Sequence, residues 1–204
     1  MRLSPTAVGT FSGKLVDLLD PDPRQVDIAE ALSKSCRFNG NINAFFSVAQ
    51  YSVNVSTDVE RATRDYEAAY AALLHDAHET YIGDIITPVR VAVDAEAVAA
   101  IERRLDVAIG SALGIDIAKH KSVGRSADVQ NLYHEALRFG SDAVDPASRR
   151  WVPFSFRPDP HYAQPLDPAE AFTLFMSRYR YLRRRIFGED VSAAFLRRVT
   201  ETAS

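Results

Sequence analysis

The chain has 204 residues, with 24 Lys plus Arg against 27 Asp plus Glu for a formal charge of −3, and it is 47% hydrophobic and 25% charged. That make-up fits one globular domain. It is too short for two independent catalytic modules, too evenly charged for a general nucleic-acid-binding surface, and too rich in core-forming residues for disorder or a coiled rod. A single cysteine, Cys36, excludes an internal disulfide, and residues 1–14 lack a signal-like apolar run. No stretch reaches the ~20 apolar residues of a membrane span, so the expectation is a cytoplasmic protein without membrane partners.

No repeat recurs at a period of roughly 20 to 50 residues, and the chain is read helix by helix. Residues 1–26 close on Leu19-Asp20-Pro21-Asp22-Pro23, whose prolines fix φ and push their predecessors out of the helical region, which predicts an ordered loop. Ile28, Ala31 and Leu32 recur at helical spacing from Asp27, predicting a helix that ends near Phe38, before Asn39-Gly40. A second helix is expected from about Phe45 to Val55. Ser56-Thr57-Asp58 would then cap a third, carrying Tyr66, Tyr70 and Leu74. After Gly83 and Pro88, Asp94 opens an amphipathic helix with Val98, Ile101, Leu105, Ile109 and Ala112, stopped at Gly114. Another is expected from Ser126 to Phe139, with Leu132, Ala136 and Phe139 on one stripe and Asp128 near its start. Residues 151–166 are Pro- and aromatic-rich, the mark of a long packed loop. Asp167-Pro168-Ala169-Glu170 combines an N-cap, Pro at the first helical position and Glu at the third, opening a helix with Phe172, Phe175, Met176 and Tyr179 inside. A last helix from about Val191 completes residues 167–204. No run alternates with β-branched enrichment, so the fold class is all-α, a compact helical bundle forming a single domain over 1–204.

The segment Leu73-Leu74-His75-Asp76-Ala77-His78-Glu79 joins an apolar stripe to a dense set of ligating groups. On a helix neighbouring residues diverge by about 100°, yet an imidazole and a short carboxylate can still converge on one ion at its edge. Glu79, four residues after His75 and three after Asp76, falls where a base or water-orienting carboxylate is wanted. A lone His-Asp dipeptide is also a common capped or salt-bridged surface feature, so the surrounding residues decide. They read His75-Asp76-Ala77-x-Glu79-x-x-x-Gly83-Asp84-Ile85-x-Thr87-Pro88-Val89, preceded by Ser35-Cys36-Arg37-Phe38-Asn39-Gly40 and Phe46-Ser47-Val48-Ala49-Gln50 and followed by Ser126-Ala127-Asp128.

In this combination the chain resembles the HD-domain phosphohydrolases, and among them the compact branch of bacterial deoxynucleotide 5′-phosphatases and phage dATP triphosphohydrolases. The resemblance covers roughly residues 18–139, and it implies an HD-type helical bundle and a metal-dependent phosphohydrolase acting on (deoxy)nucleotides. It implies one divalent ion (Mn, Co, Mg or Zn) on His75, Asp76 and Asp128, with Glu79 beside the attacking water and Asp84 beside the departing nucleoside. Arg37 matches an arginine that grips phosphate, a task suited to a guanidinium fork. Phe38 and Trp151 are candidates to stack on a base, although such aromatics are more often core.

The chain departs from that pattern where the first metal-binding histidine falls at Tyr51, and a second common histidine is Asn41. A phenol with a pKa near ~10 is a poorer ligand than an imidazole near ~6.5. Either three protein ligands plus water still hold a cation, with Tyr51 bound directly or through water, or the site has lost it. Retention is favoured because His75, Asp76, Glu79, Asp84, Asp128 and Arg37 are all present together. His78 and His134 are the alternative histidines for the open position. The rival function is a non-catalytic nucleotide-binding or regulatory protein with an impaired metal site. The partner expected is a small-molecule nucleotide and not nucleic acid, with a homo-oligomer possible. The arginines among residues 178–185 read as a basic final turn complementing the helix dipole.

Overall fold

A computed structural model describes residues 4–140, 152–153, 155–159 and 162–188 of the chain. Among the described residues the architecture is all-α: α1 (Gln25–Lys34), α2 (Val48–Thr63), α3 (Tyr66–Leu73), α4 (Glu79–Ile82), α5 (Thr87–Val93), α6 (Ala95–Leu113), α7 (Ile117–Phe139) and α8 (Pro168–Phe187), with a 3-10 turn at Arg37–Gly40. The segment 1–26 expected as a loop contains an antiparallel hairpin, β1 (Ala7–Gly9) with β2 (Leu15–Asp17), in register Val8 to Val16. Three residues per strand are too few to show alternation. No described helix is long and apolar enough to cross a membrane.

The bundle centres on α2, which packs against α1, α3, α7 and α8, while α3 packs in turn on α7 and α8. Its core joins Ile28 and Leu32 of α1, Phe46, Val55 and Val59, Tyr70 and Leu73 of α3, Leu105 and Ile109 of α6, and Phe175, Tyr179 and Leu182 of α8. On α6 the buried stripe turns from Leu105 and Ile109 to Gly110 and Leu113, leaving Ala112 in solvent.

Several boundaries differ from the sequence expectation, each for a visible reason. The α1 helix ends at Lys34, and the residues up to Phe38 leave it because residues 35–47 form a loop pinned across its neck: Val48 N–H donates to Ser35 O (2.9 Å) and Arg37 N–H to Phe46 O (2.9 Å). The α2 helix begins at Val48, capped by Ser47, whose hydroxyl accepts from Gln50 N–H, and runs through Ser56-Thr57-Asp58. Those three side chains are engaged sideways. Ser56 Oγ donates to Ala69 O (2.7 Å), Thr57 Oγ1 to Val53 O (2.7 Å), and Asp58 accepts from Asn131 Nδ2 (2.9 Å). The cap of α3 is instead Asp65, accepting from Ala68 N–H, after Arg64 turns left-handed at φ 57°.

The α7 helix starts nine residues before the expected Ser126, capped by Asp116, so Asp128 lies in its middle. The caps of α6 (Asp94, with left-handed Gly114 at φ 76°) and the capping box of α8 (Asp167 with Glu170, Pro at its start) stand as read. The described parts of 151–166 hold no helix or strand and pack on α7, where Tyr162 stacks on His134 at 4.8 Å between ring centroids and donates to Asn131 Oδ1 (3.0 Å). Trp151 and the helix expected from Val191 lie outside the described residues.

Candidate functional site

Four segments bring the polar cluster together. The pinned loop places Arg37, the first turn of α2 places Tyr51, the turns after α3 place His75 and Asp76, and the middle of α7 presents Asp128, Asn131 and Glu135 at i, i+3 and i+7. His75 and Asp76 were expected on a helix, but α3 stops at Leu73 and both lie in consecutive turns that lead to α4 at Glu79. That break resolves the angular problem of adjacent ligands. It lets the His75 ring and the Asp76 carboxylate fold onto one point, with His75 Nε2 3.1 Å from Asp76 Oδ2 and 3.4 Å from Asp128 Oδ1.

The other ring nitrogen of His75 defines the tautomer. Nδ1 lies 2.7 Å from Ala72 O, and a carbonyl only accepts, so Nδ1 is the donor. Nε2 is then the atom facing two carboxylates, buried and without a hydrogen bond. A lone pair there is repelled unless the atom takes a second proton or a cation sits between the groups. Burial works against the charged ring, yet Asp76 and Asp128 outweigh it and raise His75 well above the ordinary imidazole range. Asp76 is lowered despite its burial, by His75 and then Arg37. Separations of 3.1 and 3.4 Å are also those of donor atoms sharing one ion at about 2.0 to 2.3 Å, so the donor set fits a divalent cation.

Tyr51 is 1% exposed, and its hydroxyl lies 2.6 Å from Asp128 Oδ1 and 2.9 Å from Asp128 O. Burial, with Asp128 and Glu135 and against Arg37, keeps this phenol far above its usual pKa, hence a neutral donor. The Arg37 guanidinium lies over its ring at 3.6 Å from the centroid. Arg37 itself is anchored by a residue that sequence reasoning missed, Glu135, fully buried on α7. Nε is 3.3 Å from both carboxylate oxygens and Nη2 is 3.1 Å from Oε2, while Nη1 is 3.9 Å from Asp76 Oδ2. Burial pushes the Glu135 carboxyl up to about 7 against the pull of Arg37. The signal for Glu135 was its i+7 spacing from Asp128.

A second acidic group borders the first. Glu79 Oε2 is buried with no hydrogen-bond partner, and burial, with the charges of Asp76 and Asp84, pushes its carboxyl up to about 9. Burial and Asp76 likewise raise Asp84, against Arg37 and the backbone amides of Phe38 and Asn39. Those two residues both sit in the left-handed region at φ 54°, costing on the order of 1 to 2 kcal/mol at Phe38, so the loop holds strain beside Asp84. Asp76, His78 and Glu79 also offer ligand atoms within 4.8 Å of one another. His78 Nδ1, however, is taken by Asp106 at 2.9 Å. His134 is on the far flank of α7, accepting from Asp159 N–H (3.1 Å).

A cleft of about 1230 Å³ between α3, α6 and α7 opens onto these groups, lined by His75, Asp76, Glu79 and Asp128 and, farther out, by Arg103 and Arg125. The basic tract of α8 does not line it and is largely engaged with the bundle: Arg178 binds Glu60 (2.5 Å) and Ser56 O (3.0 Å), and Arg183 donates to Leu113 O (2.6 Å). The structure therefore brings Arg37, His75, Asp76 and Asp128 together around Tyr51, with Glu79 and Asp84 beyond Asp76 and the Phe38 ring 5.6 Å from the Arg37 guanidinium.

No protein-family model matches the chain. It is 31% identical over 193 residues to the uncharacterized protein RCAP_rcc00048 of Rhodobacter capsulatus, covering 87% of this chain and 96% of that protein. It is 33% identical over 181 residues to the uncharacterized protein YfdR of Escherichia coli, covering 86% of this chain and 94% of that protein.

Proposed function

We propose, for a chain that belongs to the family of RCAP_rcc00048 and YfdR, the function of a metal-dependent phosphohydrolase of HD-domain type acting on (deoxy)nucleotides in the cytoplasm. The observation that carries this reading is the meeting of His75 Nε2 with the Asp76 and Asp128 carboxylates at 3.1 and 3.4 Å beside a rigidly held arginine. These three residues would hold one divalent ion, Mn²⁺, Co²⁺, Mg²⁺ or Zn²⁺. When bound, such an ion polarises a phosphoryl oxygen and acidifies a bound water.

The remaining work belongs to side chains of the chain. Arg37 spends Nε and Nη2 on Glu135, which fixes the plane of the guanidinium and leaves Nη1 toward the Asp76 side to bind phosphate. Glu79 is the proton-transfer group. Its carboxyl is a neutral acid at pH 7 while Asp76 and Asp84 repel its ionised form, and positive charge at Asp76 converts it to a base for an attacking water. Asp84 and Phe38, joined through the strained loop, border the nucleoside, with Trp151 a further candidate to stack on the base.

One observation favours the non-catalytic alternative, a nucleotide-binding regulator. The hydrogen bond from Tyr51 to Asp128 already satisfies one oxygen of an expected ligand. A nucleotide panel incubated with each of the four ions separates the readings. Phosphate or tripolyphosphate release that falls at least 100-fold in Asp76→Ala supports the hydrolase. No turnover with any ion, together with nucleotide binding lost in Arg37→Met, supports the regulator.

A further inference from the structure

Resting on the reading of His75, Asp76 and Asp128 as a cation site, we propose that Tyr51 serves that site through Asp128 without being a ligand. We further propose that the donor set so left, one imidazole and two carboxylates, suits a hard cation such as Mn²⁺ or Mg²⁺. Tyr51 is here a positioning residue, and its geometry states the role. The hydroxyl has one proton, and both atoms within reach, Asp128 Oδ1 at 2.6 Å and Asp128 O at 2.9 Å, are acceptors of the same residue. The ring cannot swing toward the ion without leaving its socket. It is 1% exposed, covered on one face by Arg37 at 3.6 Å, and its centroid stands 5.9 Å from that of His75.

Asp128 is thereby held as metal-bound groups commonly are, by an outer hydrogen bond that fixes its orientation, and His75 is held likewise by Ala72 O. Both inner groups are oriented before an ion arrives. The chemical consequence concerns selectivity. Imidazole suits Zn²⁺, whereas carboxylates and water suit Mg²⁺ and Mn²⁺. A centre with one nitrogen donor leaves several positions to water, which Mg²⁺ retains readily. Zn²⁺ still binds an N/O site more tightly than Mn²⁺ in absolute terms, so the signature is the ratio of the two affinities.

The test uses the full chain, freed of ions by chelation, and two variants, with affinities for Mn²⁺ and Zn²⁺ measured by calorimetry and bound Mn²⁺ followed by its electron paramagnetic resonance. Tyr51→Phe keeps the ring and its stack on Arg37 and removes only the hydroxyl, so Mn²⁺ affinity should fall about 10- to 100-fold. Tyr51→His adds an imidazole, so the Zn²⁺ to Mn²⁺ affinity ratio should rise at least tenfold over wild type. If the Phe variant fails to fold by circular dichroism, the ratio in the His variant decides. Wild-type Mn²⁺ affinity in Tyr51→Phe, or an unchanged ratio in Tyr51→His, overturns the inference while leaving the cation site standing. Uptake of neither ion by wild type overturns the site itself, and the inference with it.

Discussion

Replacing Glu135 by Gln removes one negative charge and almost no volume, and it tests whether the buried pair with Arg37 organises the site. Glu135 is fully buried and Arg37 is 8% exposed, so water cannot take over the lost interaction. Three contacts of 3.1 to 3.3 Å join the two. A Gln amide can accept from the guanidinium with its oxygen only, and its NH₂ then faces an N–H donor. At about 3.1 Å and an effective dielectric of about 20, the gross Coulomb attraction is about 5 kcal/mol. Asp76, at 3.9 Å from Nη1, and the Tyr51 ring retain part of that stabilisation for Arg37. Burial works the other way: a carboxyl pushed up to about 7 from its ordinary 4.5 is disfavoured in its ionised form by about 3 kcal/mol even beside Arg37, a cost that Gln is spared. The mismatched amide and the relieved charge therefore largely offset, and the variant should stay within about 2 kcal/mol of wild type at pH 8. Urea unfolding of wild type and Glu135→Gln at pH 8 measures it, and a loss above about 3 kcal/mol refutes the reasoning. Arg37→Met sharpens the test because the two partners are not equivalent. Glu135, already pushed up to about 7, neutralises itself by taking a proton, whereas Arg37 cannot lose one. The Arg37→Met defect should shrink from pH 8 to pH 6, and that of Glu135→Gln should not.

Stability of the ion-free protein should fall between pH 5 and pH 9. Glu79, at about 9 in the fold against an ordinary 4.5, binds its proton more tightly folded than unfolded, so its unfavourable contribution grows as pH rises across that window. His75 and His78 are raised, so what they contribute is fully present below about 6.5 and lost on the way up, with the same sign. A urea midpoint that rises over this range contradicts it. Mn²⁺ at 100 times its dissociation constant should stabilise the fold by about 2.7 kcal/mol, seen as a higher melting temperature that EDTA reverses and His75→Ala lacks. Gly110→Ala should cost about 1 to 3 kcal/mol by urea unfolding, because a Cβ there meets Ile115 O at 2.4 Å where α6 turns into α7.

How much of this was legible in the sequence depended on how local the deciding interaction is. The ends of α6 and α8 are set by Asp94, Gly114, Asp167 and Glu170 acting on their own neighbours, and those could be read directly. Ser56, Thr57 and Asp58 have the same chemistry as caps, but their partners are Ala69, Val53 and Asn131, two of them on other helices, and so α2 runs through them. The crowding of His75, Asp76 and Glu79 was visible. That a turn rather than a helix would fold the first two onto one point was not, because Leu74 is a good helix former and no Gly or Pro marks the stop.

The role of Tyr51 is a further case. A single letter shows that an imidazole is absent, but only the structure shows the phenol committed to Asp128. Glu135 illustrates the limit most clearly. Asp128, Asn131 and Glu135 form a polar stripe on α7, and polar stripes ordinarily face water. The Glu135 end of this one is fully buried because Arg37, 98 residues away, supplies the charge that makes burial of a carboxylate tolerable. The same argument bears on the loop of residues 35–47. Its strain at Phe38 and Asn39 has no local cause in the sequence, and it persists because backbone bonds to Ser35 and Phe46 hold the loop that carries Arg37 to Glu135. If Arg37→Met relaxes this strain, the Phe38 and Asn39 amide exchange rates will change along with the stability. If those rates stay fixed, the loop is held by its own backbone bonds and Arg37 is its passenger.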